Sequence, residues 1–446
     1  MNRFTALRLG VLILTALYGS APAQDADSLT LSEAIRAALD NNLDLRRSSN
    51  QIASGKTTLD QALAAFYPSL SAALSSSRDF RKGGGDNSDQ SGASVRGSLS
   101  SSLNLFNGFG DVATYERARL EYSAAAKNHD YQRQATILAA LNGFIDIVAK
   151  GELIDIEEQN LSAQRLQLER IEAFYNAGNR PISDLLQQRA DISQAELNLL
   201  TAHRDYQVSQ YQFLKLLGKE PSGGLKFIAP PLETIIPQIS VPDTNPPLDL
   251  LLTRRSDMAA QLLHKQALAK DIRAAHSSLL PSAALSASVG SSYLSSSPAA
   301  GFTEQFLNDN PSLGIGLTVS IPLFDRFQTK TNVEQARIRL SDQELQLADL
   351  RLDIRLELEQ ALLDWETAVK QRETAQAQLQ FAEQALDASQ ARYDVGAATY
   401  TELSQVRAQY LTAANNRVQA GWNLLLKYAA VSFYRGDIDA AVHLFN

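Results

Sequence analysis

Two stretches of the sequence share a turn, an acidic residue and a Gln-x-Arg-Ala motif at the same spacing. They are FYNAGNRPISDLLQQRADI, from Phe174, and RYDVGAATYTELSQVRAQY, from Arg392. Each has a Tyr-x-x-Gly turn, and the acid six residues after the glycine is Asp184 in the first and Glu402 in the second. Carboxylates that converge in space concentrate negative potential, attract cations and raise one another's proton affinity. These repeated acids are the strongest candidates for chemistry in the chain, and the chemistry is electrostatic.

Other reactive residue types do not form a recognisable site. The segment SGKTT at Ser54–Thr58 is similar to the end of a phosphate-binding loop, but the glycine required five positions before Gly55 is replaced by Asn50. The 5 histidines have no metal-ligand spacing, the chain has no cysteine, and no Ser/His/Asp arrangement can be proposed. The sequence therefore indicates neither an enzyme nor a metal or cofactor site.

The N-terminus has the features of a cleaved secretory signal. An apolar stretch follows Arg3 and Arg8, and residues 21–23, Ala-Pro-Ala, supply a small-residue cleavage site. We therefore assign residues 1–23 to a signal peptide, whose removal deletes two arginines and changes the formal net charge from −8 to −10. An acidic exported protein is a poor candidate for nucleic-acid binding.

One internal repeat covers nearly the whole mature chain. Residues from Leu105 onward recur 218 positions later, whereas the shift before them is 213, so the second copy has five extra residues between Ser282 and Leu323. We expect a tolerant loop to absorb those residues. The predicted domains are repeat 1 at residues 24–220, a linker at 221–247 that holds seven of the 14 prolines and is expected to be extended, and repeat 2 at 248–446.

Each copy is predicted to contain very long helices that meet at a turn. Residues 328–394 contain neither glycine nor proline, so 67 residues can form one helix, roughly 100 Å long at ~1.5 Å per residue. Within it, LRLDIRLELE (350–359) alternates with a period of two, but Leu, Arg and Glu favour helix, which suggests a helix contacted on two sides. The predicted hairpin tips are at about residues 175–184 and 393–402.

Strands are expected at about residues 68–80, 95–106, 281–294 and 312–324. In LGIGLTVSIPL, the apolar residues alternate strictly with small or polar ones, over a length close to the ~9 to 11 residues that a tilted strand needs to cross the hydrocarbon layer. The predicted lipid-facing residues of this strand are Leu313, Ile315, Leu317, Val319 and Ile321. Aromatic residues mark the strand ends, namely Phe106, Phe109, Phe324 and Phe327.

Alternation alone also fits a soluble antiparallel sheet with one buried face. The signal peptide, the long helices and the aromatic strand ends favour an outer-membrane β-barrel, since no later stretch approaches the ~18 to 20 apolar residues of a transmembrane helix. Four strands cannot close such a barrel, because closed membrane barrels begin at about eight strands. At least two chains must therefore contribute strands.

A doubled unit of helix, β-hairpin, very long helix, Tyr-x-x-Gly turn and helix, behind a signal peptide, resembles the TolC-type outer-membrane efflux family. The resemblance extends from about Thr30 to Gly436, and its most specific parts are the Leu-x-Leu-Phe-(Asn/Asp)-x-Phe strand endings and the two turns. It implies a mainly α fold with a small β part, in which long antiparallel helices and β-hairpins are duplicated. In a homotrimer they form a 12-stranded outer-membrane β-barrel continued by a periplasmic α-helical barrel.

The resemblance also implies a function and partners. Such a protein is the passive exit duct of a tripartite efflux pump or of a type I secretion system, embedded in outer-membrane lipid. It docks a periplasmic adaptor, and an inner-membrane transporter supplies energy indirectly. The sequence does not name the cargo or the pump. The alternative is a soluble periplasmic coiled-coil scaffold without channel activity.

By the same resemblance, the two turns form the periplasmic end of the duct. Its adaptor-docking tips would be Tyr175, Gly178, Tyr393 and Gly396. Glu402 falls where relatives carry a constricting carboxylate ring, and Asp184 falls where they have an acid that helps to hold the helices closed.

This sequence departs from the family pattern at two gate positions. The next constricting site, nine after the glycine, is Gln405 rather than an acid. The arginine that some relatives carry two after the second glycine is Ala398 here, while Arg180 occupies the equivalent place in the first copy. We therefore expect one carboxylate ring and a rearranged closing contact.

Overall fold

The computed structural model describes residues 28–79, 92–220, 225–239, 251, 253–295 and 301–445. Within these ranges the chain is mostly helical, with one four-stranded and one two-stranded sheet. The same order of helix, two strands and two long helices occurs twice, as the repeat in the sequence predicts.

The first copy and the connection after it contain the following elements. They are β1 (Ser28–Thr30), α1 (Leu31–Asn41), α2 (Leu43–Ala64), β2 (Ser69–Asp79), β3 (Gly92–Asn107), α3 (Gly110–Asn176), α4 (Ile182–Leu216), β4 (Lys226–Ile228), α5 (Leu232–Ile235) and a 3₁₀ turn (Ile236–Gln238).

The second copy repeats the pattern. Its elements are α6 (Ser256–His276), a 3₁₀ turn (Ser277–Leu279), β5 (Ser282–Leu294), helical turns at Phe302–Glu304 and Gln305–Asp309, β6 (Ser312–Ser320), α7 (Gln328–Asp394), α8 (Tyr400–Tyr434), and short turns at Asp439–Val442 and His443–Phe445.

The predicted 67-residue helix is confirmed, because α7 runs unbroken from Gln328 to Asp394. Its period-two segment is helical, and residues two apart on a helix point to nearly opposite sides. Ile354 and Leu358 are buried, whereas Leu352 and Leu356 are 69% and 55% exposed. One apolar side of α7 is therefore covered within the chain and the other is not.

The long helices end in the same way in both copies. Gly178 and Gly396 each have φ +78°, the left-handed conformation that glycine adopts without a Cβ clash. The Gly178 N–H donates to the Tyr175 carbonyl at 2.9 Å and the Asn179 N–H donates to the Phe174 carbonyl at 2.8 Å, which is a Schellman cap. Gly396 closes α7 with the equivalent pair of bonds, so both turns lie at the same distance from the strands.

The four-stranded sheet is antiparallel throughout, in the order β2-β3-β5-β6. Its two hairpin connections, residues 80–91 and 295–311, differ in length by five residues. The connection between β5 and β6 therefore holds the five extra residues of the second copy. Among the described residues, β2 and β6 each have one edge without a neighbouring strand. The sheet is therefore open on both sides.

The strand β6 is shorter than predicted. It ends at Ser320 rather than near residue 324, so Ile321 follows the strand instead of belonging to it. Pro322 has no backbone N–H to continue the ladder, which explains the early end.

The main hydrophobic core lies where α1, α3, α4, α7 and α8 meet, and it includes the buried Phe144 and Trp422. The described part of the linker packs on it, in contrast with the extended segment that its prolines predict. The strand β4 pairs in parallel with β1, and the Phe227 ring lies 5.9 Å from Phe144 and 5.7 Å from Phe213. Further along the linker, Glu233 forms an ion pair with Arg417 of α8, so this part of the linker contacts both copies.

None of the described helices is long and apolar enough to cross a membrane.

Candidate functional site at the helical tips and the sheet

The tips of the two copies contact each other through three of the residues singled out in the sequence. The Arg180 guanidinium donates a hydrogen bond to the Tyr393 backbone carbonyl and lies 4.0 Å above the centre of the Tyr393 ring. The Tyr393 hydroxyl donates to the Asp184 carboxylate at 3.3 Å. We call this set of residues the tip contact. It joins the turn and first residues of α4 to the end of α7.

Burial separates the two tip tyrosines. Tyr393 is only 2% exposed beneath Arg180, whereas Tyr175 is 36% exposed. Burial raises the pKa of Tyr393 to about 12; the Arg180 charge opposes this rise and the Asp184 carboxylate adds to it. The side chain of Tyr393 therefore joins the copies, and of the two tyrosines Tyr175 is the one available at the surface.

A second set of side chains, which the sequence reasoning missed, lies deeper in the same interface. The Tyr400 hydroxyl lies 2.7 Å from Asp191 Oδ2 and 2.7 Å from Gln188 Oε1, and it donates its proton to this pair. Ser404 also donates to Asp191 Oδ2, at 2.8 Å. We call these residues the second contact. Burial raises the pKa of Tyr400, and its hydrogen bond to Asp191 raises it further.

The second contact continues into a buried polar ladder. Gln188 is fully buried, and its Nε2 donates to the Gln164 backbone carbonyl at 2.9 Å. Gln164 in turn donates to Asn160 Oδ1 at 3.3 Å. Because a buried polar group without a partner costs about 1–3 kcal/mol, this chain of hydrogen bonds fixes how α4 sits on α3.

The sequence spacing of these residues could have indicated that they lie on one face of a helix. Asp184, Gln188 and Asp191 occupy positions i, i+4 and i+7, which share one face of a helix. Tyr393 and Tyr400 are also seven residues apart, on either side of the turn. Polar residues at helical spacing therefore mark a face, but only the tertiary structure shows which helix that face contacts.

The predicted constricting residues do not join either contact. Glu402 is exposed, and its carboxylate lies 3.9 Å from the Arg392 guanidinium. The Thr399 hydroxyl accepts a hydrogen bond from the Glu402 backbone N–H at 3.2 Å, so it caps α8 and fixes the backbone there. Gln405, one turn further along α8, is also exposed. In a single chain both side chains point away from the interface between the copies.

The tip glycines have open surroundings. No atom of the described chain lies within 4 Å of where a Cβ would stand at Gly178 or Gly396. Their left-handed backbone, rather than a close contact within the chain, therefore requires glycine at these turns.

The register of the four strands places their apolar residues on one exposed face. Val289 of β5 lies opposite both Leu99 of β3 and Leu313 of β6, and Leu99 lies opposite Ala72 of β2. The side chains of Leu313, Ile315, Leu317, Val319 and Ile321 are 74%, 74%, 63%, 57% and 62% exposed. The apolar face is therefore continuous across all four strands, and Phe306 of the connection between β5 and β6 lies over it at Gly97.

The opposite face of the sheet is polar and small. Serine hydroxyls pair across β2 and β3 at 2.8 Å, as in Ser71 with Ser100 and Ser77 with Ser94. Further across the sheet, Ser288 lies opposite Gly314. The sheet thus has one apolar and one hydrophilic face, and neither is buried in the chain.

Paired aromatic rings lie where the strands give way to the long helices. Phe106 and Phe109 form an edge-to-face pair with centroids 5.1 Å apart, and Phe324 and Phe327 form the equivalent pair at 5.8 Å. Phe109 and Phe327 have left-handed backbones, with φ 66° and 63°. All four rings are exposed.

No cluster of three or more His, Cys, Asp or Glu residues suited to a metal ion occurs in the part of the chain that the structure describes.

Comparisons with known proteins agree with this geometry. The model of the outer membrane efflux protein family matches residues 34–219 and 248–436, one segment in each copy. Outer membrane efflux protein BepC of Brucella suis biovar 1 (strain 1330) is 22% identical over 346 residues, which cover 76% of this chain and 70% of that protein.

Solved outer-membrane channels have the same fold. The CmeC channel of Campylobacter jejuni superposes with a TM-score of 0.78 at 16% identity, over 96% of this chain and 94% of that chain. The open state of the MtrE channel of Neisseria gonorrhoeae gives a TM-score of 0.76 at 19% identity, over 94% of each chain. The predicted fold, family and outer-membrane location are confirmed: this chain belongs to the outer membrane efflux protein family.

Proposed function

We propose that three copies of this chain form the passive exit duct of a tripartite efflux pump or a type I secretion system, gated at its periplasmic tip. The observation that carries the proposal is the four-stranded sheet, which is exposed on its apolar face and open at both edges. An unpaired strand edge in lipid leaves backbone groups without hydrogen-bond partners, so edges must be closed by other strands. Three copies supply 12 strands.

The helices support the same assembly. Along α7, four apolar residues spaced by seven or eleven lie on one exposed stripe, opposite the buried side of the helix; they are Ile338, Leu345, Leu352 and Leu363. Along α4, another exposed stripe contains Leu186, Leu197, Val208 and Tyr211. Such spacing is typical of helices that pack on a partner helix.

The two stripes lie on opposite sides of one protomer. The helix α3 packs on α2, α4, α6 and α8, and α7 packs on α6 and α8, so α2 and α4 lie on one side of the protomer and α7 lies on the other. An interface between α7 of one copy and the α2 and α4 side of the next is head-to-tail, and such an interface closes into a ring when its rotation is a whole fraction of a turn. We expect three copies to close this ring.

The gate is proposed to be the tip contact and the second contact, together with Glu402 and Gln405. The two contacts tie α4 to the end of α7 and the start of α8, so the tip cannot widen by separating these helices while they hold. In a trimer, three copies of Glu402 on the inner helix pair would form a ring of carboxylates that attracts cations.

The partners follow from the exposed turns. Within the described chain, no neighbouring side chain covers Gly178 or Gly396, and Tyr175 is exposed. We expect an adaptor to bind at these turns. The inner-membrane transporter would act through that adaptor. Relatives named as efflux proteins favour small-molecule export, while polypeptide export by type I secretion stays open.

Purified protein from outer-membrane fractions tests the proposal. We expect oligomers that dissociate to monomers on heating in detergent, with a cross-linked mass of three chains, and single-channel conductance in planar bilayers. The alternative, a soluble periplasmic scaffold, predicts a soluble monomer without conductance, and that result would contradict the duct.

A further inference from the structure

A groove of about 470 Å³ lies at the junction between the sheet and the helices. It is bounded by the start of α3, the end of α6 and the start of α7. Its apolar walls include Phe109, Val112 and Val333, and its polar side chains include Arg273, His276 and Arg337. The tip gate, at the other end of the long helices, does not use this groove.

Two glycines give the groove its shape. A Cβ on Gly110 would lie 2.5 Å from the Ser277 hydroxyl oxygen, and a Cβ on Gly108 would lie 2.6 Å from the Ser277 carbonyl oxygen. Only residues without a side chain let the end of α6 come this close to the turn before α3. The groove is therefore a built feature of the junction.

The groove opens on the side of the apolar sheet face. Phe106 pairs in register with Ala283, which lies opposite the exposed Val319 on that face. The Phe109 ring contacts Phe106 with centroids 5.1 Å apart and is 66% exposed at the rim of the groove. A molecule in the groove would thus continue directly onto the apolar surface of the strands.

The charges in the groove favour an anion. Glu116 is paired with Lys270 at 2.6 Å, which neutralises the acid on the wall. Arg337 contacts Glu334 at 3.4 Å in a pair that is more than 60% exposed, so water weakens this attraction. Among the described residues, no ion pair within 4.0 Å involves Arg273; the hydrogen bond from Lys270, and to a smaller extent the charge of Arg273, lower the pKa of the Glu116 carboxyl.

We propose that this groove binds a glycerophospholipid of the inner leaflet, with its phosphate held by Arg273 and Arg337 and its acyl chains along Phe109 and Val112. A phospholipid has an anionic headgroup and apolar acyl chains. The headgroup matches the arginines on the helix side of the groove, and the acyl chains match the exposed apolar face of the strands. The inference rests on the proposed orientation of the sheet in the membrane. Its consequence is a fixed height of the strands relative to the headgroups.

Native mass spectrometry of the purified full-length mature protein tests the site. The protein would be titrated with dioleoylphosphatidylglycerol and, separately, with inorganic phosphate. We expect the Arg273→Gln/Arg337→Gln double variant to bind the lipid about tenfold more weakly than wild type, since charge-assisted hydrogen bonds to the phosphate are lost. The Arg273→Lys/Arg337→Lys variant should retain most of the binding.

The matched control is Arg351→Gln, which removes an exposed arginine of α7 fourteen residues beyond Arg337. Equal lipid binding by wild type and the glutamine double variant, or an equal loss in the control, would overturn the proposal. So would lysine variants as weak as the glutamine ones, or inorganic phosphate binding as tightly as the lipid. Trimer formation and conductance, measured in parallel, report separately on the proposed duct.

Discussion

Tyr393 and Tyr400 differ from Glu402 in burial, and that difference separates the two roles that we propose for residues of the helical tips. The tyrosines are 2% and 3% exposed and donate hydrogen bonds from one copy of the repeat to the other. Glu402 lies on the same helix as Tyr400 but is exposed and holds only a 3.9 Å contact with Arg392. The contacts that we propose to close the tip are therefore completed within one chain, whereas the proposed carboxylate ring requires several chains.

Replacing Glu402 with alanine tests the ring. Each carboxylate stabilises a passing cation by about 1 kcal/mol at 4 Å in water, and the variant removes all three, so we expect Glu402→Ala to lower cation preference by at least about fivefold. We also expect a higher conductance, because the shorter alanine side chain widens the constriction. Ion selectivity and conductance in planar bilayers measure both quantities. Glu383→Ala, an exposed acid eleven residues before the end of α7, is the control. Unchanged selectivity of Glu402→Ala would refute its gate role.

The second contact makes a separate prediction. Tyr400→Phe keeps the ring but removes the donor to Asp191 and Gln188, at a cost of about 1–3 kcal/mol. We expect the open tip to become at least about fivefold more populated, seen as higher conductance without a change in ion selectivity. Tyr410→Phe removes a hydroxyl from the same helix outside the contact. Equal conductance of the two variants would contradict the role of the second contact.

Alkaline pH should weaken the tip contact. The pKa of Tyr393 is raised from 10.0 to about 12, so its hydroxyl stays protonated in the folded protein where the unfolded chain has ionised. The stability from this group is complete below pH ~10 and falls as the pH rises to about 12. In denaturant titrations at pH 9 and pH 12, Tyr393→Phe should lose less stability than wild type. An identical loss would rule out this contribution.

At the scale of elements, the strands and the long helices are joined by turns whose backbone conformation is rare for residues other than glycine. Phe109 and Phe327 occupy left-handed backbone conformations, which cost about 1–2 kcal/mol for a residue with a Cβ. The second copy also has Arg326, at φ 56°, where the first has Gly108. The same turn therefore forms twice with different residues, because the sheet and the helix on either side fix its geometry.

A charge on the apolar sheet face tests the membrane assignment of the strands. Ile315→Lys places an amine at a side chain that is 74% exposed on that face. A lysine near the middle of the lipid layer costs about 2–4 kcal/mol in a membrane barrel, so we expect fewer heat-modifiable oligomers in outer-membrane fractions. Ser288→Lys, on the polar face of the adjacent strand, should assemble as wild type does. Similar yields of both variants would argue against lipid contact.

At the scale of the whole molecule, a single chain leaves several interaction surfaces uncovered. The apolar sheet face, the two strand edges and the stripes on α4 and α7 are all exposed. The period-two segment of α7 shows why: Ile354 faces the chain's own core, while Leu352, on the other side, has no partner within the described chain. In the proposed trimer, neighbouring copies and lipid together would cover these surfaces.

Charges on the α7 stripe should prevent assembly. Leu345→Glu/Leu352→Glu introduces two carboxylates on side chains that are 68% and 69% exposed in one chain but buried in the proposed ring. We expect monomers by size-exclusion chromatography in detergent, with helical content preserved by circular dichroism. Gln346→Glu/Gln360→Glu adds the same charges beside the stripe and should remain trimeric. A trimeric stripe variant would exclude this interface.

The spacing of residues along the sequence was sufficient to predict much of the fold. The shift of 218 between copies, the absence of glycine and proline from 328–394 and the alternation at 313–321 predicted the duplicated fold, the 67-residue helix and the apolar strand face. These features are local or repeated, so chain order is sufficient to specify them. The end of β6 at Ser320 was missed because alternation continues past the residue where Pro322 stops the ladder.

Contacts between distant residues were decided only by the tertiary structure. Asp191 meets Tyr400, Phe227 of the linker packs between Phe144 and Phe213, and Tyr393 is buried rather than displayed at the tip. The sequence gives the helical face on which a side chain lies, but not the helix that the face contacts. That choice depends on how all the helices pack together, and therefore on the whole chain at once.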